Sequence, residues 1–338
     1  MSLEANFSDG GRKSAPQKVF AHEGRLVKAT LLISSILLAS RLSLAVFYVS
    51  TVTPKTSLCT DGVYENSQQW RSLFPNGTVP LKGKALVSIP IGLEAVDSIA
   101  NLIKIMGHEA FDYAFFAYDD TDWSKAAWFK KKGVSVLHTP RERKWTLYFD
   151  YLLAETVRSY SHVFLWDDDL EPTVGFDGEV LLQMLQAFDI GIAQPVIAKH
   201  SHMQFEGTSL GQRPFGLLHQ VRIVEIMAPI YSTTQWSECL RPRMARDRGS
   251  GWGLDLWVQN YGDCVPEHIY SIGTALDHLD RHSLSKSSSS GQTKSEGNKY
   301  AADSRKKGWK PRGGLNGPFK DFGVVVDAQC HLSLVEKN

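Results

Sequence analysis

The sequence predicts an α/β domain with a mostly parallel sheet covered by helices on both faces. Two observations predict it. Over residues 84–195, short apolar runs of strand type alternate with segments of helical spacing. That alternation is what parallel strands joined by crossover helices leave in a sequence. One run, residues 162–166, leads into three consecutive aspartates, Asp167, Asp168 and Asp169. Acids just past a strand sit where open α/β sheets bind ligands. Composition agrees: 43% of the 338 residues are hydrophobic and 22% charged, which suits a globular core rather than disorder. A net charge of +1 gives no case for nucleic-acid binding.

In chain order, residues 1–28 read as a cytosolic tail and residues 29–52 (ATLLISSILLASRLSLAVFYVSTV) as a transmembrane signal anchor. At ~1.5 Å rise per residue the stretch is long enough to cross a bilayer. Arg12, Lys13, Lys18, Arg25 and Lys28 precede it and Lys55 follows, so the positive-inside rule puts the N-terminus in the cytosol. Arg41 opposes the reading, at a cost of roughly 2.5–3.5 kcal/mol near a span's centre. Residues 53–83 form a stem, in which Asn76-Gly77-Thr78 is a glycosylation sequon on the lumenal side.

The globular region is residues 84–283. ALVSIP from Ala85 is a strand, 96–106 a helix, and YAFFAY from Tyr113 a strand ending before Asp119-Asp120. Residues 124–132 read as a helix capped by Ser124, VSVLH as a strand, and 146–160 as one long helix. HVFLW is the strand feeding the aspartates; 178–188 is a helix, IGIAQP a strand, VRIVEIMAPIYS a strand and 234–240 a helix. Residues 284–321 lack apolar periodicity and carry nine Lys/Arg against three Asp/Glu over 286–321, a local charge of 9 − 3 = +6, so they read as a flexible basic segment before a C-terminal segment at 322–338. No CxxC occurs among the four cysteines, which argues against structural zinc. Cys239 and Cys264 flank one glycine-rich loop and can pair in an oxidising compartment.

Three adjacent carboxylates repel unless a cation, a proton or water relieves them. Hard divalent ions such as Mn²⁺ or Mg²⁺ prefer carboxylate oxygens and are often shared with substrate phosphates. In an extended chain the first and third acids point to the same side, so Asp167 and Asp169 can reach one ion while Asp168 faces a sugar or ribose. A solvated acidic turn is the plainer alternative. An aspartyl phosphatase of the haloacid dehalogenase type also carries Asp-x-Asp after a strand, but Leu170-Glu171-Pro172 breaks its local pattern. Within GSGWGLDLW, Trp252 offers a flat face for a sugar, and Asp255 opens a helix where a carboxylate can act as general base; both residues also suit plain core and helix-start roles. ALDHLDRHS supplies His278 and His282 as further metal ligands. Lys144, where a loop meets a helix, suits a phosphate or a plain surface charge.

Taken in order, Lys144-Trp145, Phe164-Leu165-Trp166-Asp167-Asp168-Asp169-Leu170, Ala193-Gln194-Pro195, Val224-Glu225-Ile226-Met227-Ala228-Pro229 and Trp252-Gly253-Leu254-Asp255 resemble the motifs of the domain-of-unknown-function family 707. The likeness runs from about Lys84 to Ser283. That family resembles GT-A type glycosyltransferases, which implies a nucleotide-sugar donor and a divalent ion. It ends its core with Gly, then Asp, then His. Gly273 and His282 match the outer spacing, while the Asp position falls on Leu276 beside Asp277, so His278 and His282 both stay open as the equivalent ligand.

The resemblance, taken with the motifs and with the anchor read at residues 29–52, predicts a GT-A-like, metal-dependent transferase held in the Golgi or another secretory membrane. Asp167 and Asp169 hold Mn²⁺ or Mg²⁺ with His282 or His278. Lys144, Asp168, Asp120 and Trp252 bind the donor, and Asp255 serves a carbohydrate or glycoconjugate acceptor. The rival is a non-catalytic lumenal carbohydrate- or nucleotide-binding protein with the same fold.

Overall fold

The computed structural model describes residues 62–64, 81–198, 218–221, 223–244, 251, 253–257, 264–266, 269–279, 321–326 and 332–336, with scattered positions between 295 and 306. All of these residues fall in the unit Leu58–Asn338. The expected segments 1–28 and 29–52 lie outside the described residues, as does nearly all of 284–320. Among the described residues no helix is long and apolar enough to cross a membrane.

The described strands are β1 (Gly62–Tyr64), β2 (Ala85–Ile91), β3 (Phe111–Ala117), β4 (Val134–His138), β5 (His162–Leu165), β6 (Leu170–Pro172), β7 (Ile192–Ile197), β8 (Leu218–Val221), β9 (Ile230–Ser232), β10 (Ile269–His278), β11 (Asp321–Val326) and β12 (Leu332–Glu336). They form one sheet in the order β1-β11-β8-β10-β7-β9-β5-β2-β3-β4, with β12 on β11 and β6 on β10. In its body β4, β3, β2, β5, β7 and β10 run one way; β9 and β8 run the other. This is the mostly parallel α/β sheet that the sequence predicts.

Both faces are buried, and residue alternation shows it. In β2, Ala85, Val87, Ile89 and Ile91 join one core while Leu86 joins the other; in β5, Phe164 goes to the first and Val163 and Leu165 to the second. Helices α1 (Val96–Met106) and α4 (Gly178–Ala187) cover the first face. The α1 helix buries Ile99, Leu102, Ile103 and Met106 and stops at Gly107, whose φ of 75° suits glycine. The α4 helix starts where the Asp177 carboxylate accepts from Val180 N at 3.1 Å. The second face is covered by α2 (Lys144–Tyr151), α3 (Ala154–Val157) and a π-helix (Gln235–Leu240) running into α5 (Arg241–Arg243). A short α6 (Leu254–Trp257) follows the glycine-rich turn.

Several elements differ from the sequence reading. The expected helix over 146–160 is broken between α2 and α3, where Leu152 takes ψ 61° and Leu153 ψ 158°. Trp236 Nε1 donates to Leu152 O at 2.8 Å and Arg241 Nη2 to Phe149 O at 2.9 Å, so partners from the π-helix side satisfy carbonyls at the break. The expected helix over 124–132 is a 3-10 turn, Trp123–Lys125, capped by Asp122 rather than Ser124. Further three-residue turns follow it, Phe129 N to Ala126 O and Lys131 N to Trp128 O. They let Trp123 and Trp128, 5.6 Å apart, both enter the core. The run expected as one strand over 221–232 yields only β8's last residue and β9. Residues 269–278, left unassigned by sequence, form the ten-residue strand β10.

Candidate active site

After β2, the chain builds β3 and β4 outward on one side, then returns to lay β5 on the other side of β2. That reversal is a topological switch point, where open sheets leave a crevice beyond their strand ends. The aspartate triplet begins there. Trp166 N donates to Ser88 O at 3.1 Å, and Asp167 N donates to Met227 O at 2.9 Å. Tyr148 O–H lies within 2.8 Å of Ser88 O and 3.1 Å of Trp166 O, fixing the exit of both strands from the second face.

Each aspartate has a different partner. Lys144, the first residue of α2, places Nζ 2.7 Å from Asp167 Oδ1, 2.6 Å from Ile226 O and 3.4 Å from Met227 O. An ammonium has three N–H groups, so the protein supplies an acceptor for each. Nζ also lies 5.5 Å and 5.9 Å from the Trp145 and Tyr148 ring centroids. Burial lowers the Lys144 pKa, and the negative charge of Asp167 opposes that shift. Burial likewise raises Asp167, with Lys144 pulling it back. Lys144 is thus the internal counter-ion of Asp167 as well as a cation near the crevice.

Asp168 Oδ2 accepts from Tyr118 O–H at 2.8 Å. Burial pushes the Asp168 carboxyl up to about 6, although the Tyr118 hydrogen bond favours its charged form. Tyr118 escaped the sequence reading because it closes an apolar run and looks like core. Its ring packs on Gly92, where a Cβ would fall 2.4 Å from it. Asp120, expected to contact a nucleoside, has a fully exposed side chain and lies 3.8 Å from His138. Its half-buried neighbour Asp119 is tied to backbone instead, accepting from Leu93 N at 2.7 Å and Thr121 N at 3.1 Å. Burial alone would raise Asp119; these hydrogen bonds outweigh it and hold its pKa down.

Asp169 Oδ2 lies 3.1 Å from His278 Nε2. Strand pairing brings them together: β6 and β10 are antiparallel with His278 opposite Leu170, and Leu279 N donates to Asp169 O at 2.8 Å. A register shift in β10 between Ile272 and Ala275 lets its second half pair with β6 as well as β7. Asp169 Oδ1 is buried and has no hydrogen-bond partner among the described residues. An orphaned carboxylate oxygen beside an imidazole fits a cation. Among the described residues no group of three or more His, Cys, Asp or Glu is disposed to hold a metal ion. Asp169 and His278 would therefore need oxygens from a ligand, as magnesium sites that share phosphates do.

Asp255 is 6% exposed, in the first turn of α6. The turn before it packs on α2: Gly251 has φ 72°, and a Cβ there would lie 2.0 Å from Trp145 Cδ1. Trp252 and His282 lie outside the described residues. Cys239 and Cys264 form a disulfide with Cα atoms 5.6 Å apart, which the sequence left open.

No curated protein matches the chain. Solved structures with partial overlap include residues 1–349 of TarS from S. aureus, at 10% identity and TM-score 0.40, covering 65% of this chain and 71% of that one. The glycosyltransferase GlyE of Streptococcus pneumoniae has 10% identity and TM-score 0.34, covering 69% and 66%. The 4-diphosphocytidyl-2C-methyl-D-erythritol synthase of Anaerococcus prevotii has 8% identity and TM-score 0.31, covering 48% and 76%. The family model of DUF707, described as a protein of unknown function, matches residues 54–214. That span holds the Lys144-Trp145 and aspartate motifs and ends before those of 224–229 and 252–255. Over residues 54–214 the chain is similar to the DUF707 family.

Proposed function

We propose that this protein is a metal-dependent glycosyltransferase that moves a sugar from a nucleotide-diphospho-sugar to a carbohydrate or glycoconjugate acceptor. One observation carries the reading: at the switch point of a parallel sheet, Asp169 keeps a buried oxygen without a partner beside His278. The motif resemblance to the domain-of-unknown-function family 707, a family that resembles GT-A type enzymes, supports the same reading. Bound there, Mn²⁺ or Mg²⁺ would neutralise a diphosphate leaving group. Asp169 and His278 would hold the ion, with Asp167 joining when its contact with Lys144 loosens. Tyr118 and Asp168 would orient the donor's ribose or sugar at the ends of β3 and β5. Asp255 would accept the proton of the acceptor hydroxyl in an inverting reaction, or orient the acceptor in a retaining one. The Cys239–Cys264 disulfide supports a secretory-pathway location, with residues 29–52 as anchor.

A second reading is a lumenal binding protein without turnover. The protein already neutralises Asp167 through Lys144, and the described residues lack a three-ligand metal group, which favours it. Calorimetric titration of the full chain with UDP- and GDP-sugars, with and without Mn²⁺, separates the cases. Manganese-dependent binding that Asp169→Ala abolishes supports the transferase site. Donor binding indifferent to metal and to Asp169→Ala supports the second reading and removes the metal from the first.

A further inference from the structure

Lys144 and Trp145 are adjacent in the first turn of α2, and each grips a different part of the candidate site. Lys144 holds Asp167 and the carbonyls of Ile226 and Met227. Trp145 is 1% exposed and receives the backbone of Gly251 against its pyrrole edge, so closely that a Cβ would lie 2.0 Å from Cδ1 and 2.2 Å from Nε1. Leu254 N donates to Gly251 O at 2.8 Å, so the same turn sets the start of α6 and the position of Asp255. Leu254, Trp145, Leu147 and Tyr148 share one buried cluster. The ring is packed within this buried cluster, and Gly251 has φ 72°, in the left-handed region.

We infer that Trp145 is a positioning residue: through Gly251 it sets the Asp255 segment in register with the aspartate triplet, and one helical turn couples the two halves of the site. The inference rests on the transferase reading for its catalytic meaning, but the mechanical coupling stands by itself. Neither half then shifts alone. A methyl on Gly251 would push the indole, tilt the first turn of α2 and strain the Lys144–Asp167 contact. Misplacement by about 1 Å is enough to lower turnover roughly 100-fold.

The test uses the full chain with Gly251→Ala, Trp145→Phe and the double variant Gly251→Ala/Trp145→Leu. Amide hydrogen exchange is followed at 251–257, 144–148 and 164–170, with α4 as the control. Coupling predicts that Gly251→Ala accelerates exchange in all three segments and leaves α4 unchanged; Trp145→Leu, which removes the ring edge but not the backbone strain of a side chain at φ 72°, rescues 144–148 and 164–170 and leaves 251–257 accelerated. Acceleration in Gly251→Ala that is confined to 251–257, or spread to α4, overturns it. For the nucleotide-sugar that the wild type turns over, Trp145→Phe should lower kcat and leave the donor KM within about twofold; a loss carried by the donor KM overturns the positioning role. Should the wild type turn over no nucleotide-sugar, the transferase reading fails while the exchange pattern still decides the coupling.

Discussion

Lys144 shows how far one residue's meaning depends on its surroundings. In the sequence it is a cation at a loop–helix junction and suits a phosphate or plain solvent. In the fold its three N–H groups meet three protein acceptors. Lys144→Met would strand the Asp167 carboxylate, whose side chain is one-third exposed. We expect a loss of about 2 kcal/mol at pH 8, smaller than a fully buried pair would give because water still reaches Asp167. The loss should shrink as pH falls, because burial raises the Asp167 pKa and its protonation removes the stranded charge; urea denaturation at pH 8 and at a series of lower pH values checks it. The aspartate triplet was legible because acids behind an apolar run announce a strand end. Tyr118 was not, since a phenol closing an apolar strand reads as core until its hydroxyl is seen on Asp168. The choice of His278 as the partner of Asp169 needed the pairing of β6 with β10, a contact across more than a hundred residues of chain.

At the scale of elements, strands and helices were read wherever one periodicity ran unopposed: β2, β3, β5, α1 and α4. Reading failed where distant partners decide. The α2–α3 break persists because Trp236, 84 residues away, satisfies Leu152 O. Trp236→Phe keeps most of the buried ring and deletes that donor. It should cost about 1–3 kcal/mol, seen as a lower urea midpoint with unchanged slope. An unchanged midpoint would mean that another group takes up the Leu152 carbonyl. The β10 strand went unread because Ser271, Thr274 and Asp277 break its apolar run and Gly273 interrupts its middle.

For the whole molecule, two ionisable groups at opposite ends of β5 pull stability in opposite directions. Burial holds His162 neutral and lowers its pKa from 6.5 to about 4, so its contribution is present above pH 6.5 and lost as pH falls toward 4. Burial raises Asp168 from 3.8 to about 6, so its contribution is present below pH 4 and lost as pH rises toward 6. Each is worth on the order of 3 kcal/mol, and they largely offset one another in the same window. Asp168→Asn in metal-free protein should therefore expose the His162 slope, with Tm rising more steeply between pH 4 and 6.5 than in the wild type. An unchanged profile would remove Asp168 from the balance. Reducing the Cys239–Cys264 bond, which joins residues 25 apart, should lower stability by about 3.5 kcal/mol on the chain-entropy estimate, read as a drop in Tm with dithiothreitol. The overall class was legible because alternation along the chain survives in any α/β sheet. The sheet's outer edge was not, because β11 pairs with β8 across 321 − 219 = 102 residues and with β1 across 326 − 62 = 264. That pairing also sets an order in time. A ribosome makes residues 62–64 early and 324–326 late, so β1 leaves the exit tunnel long before its partner exists. A stop codon before residue 321 would leave the opposite end of this unit waiting for a strand that is never translated.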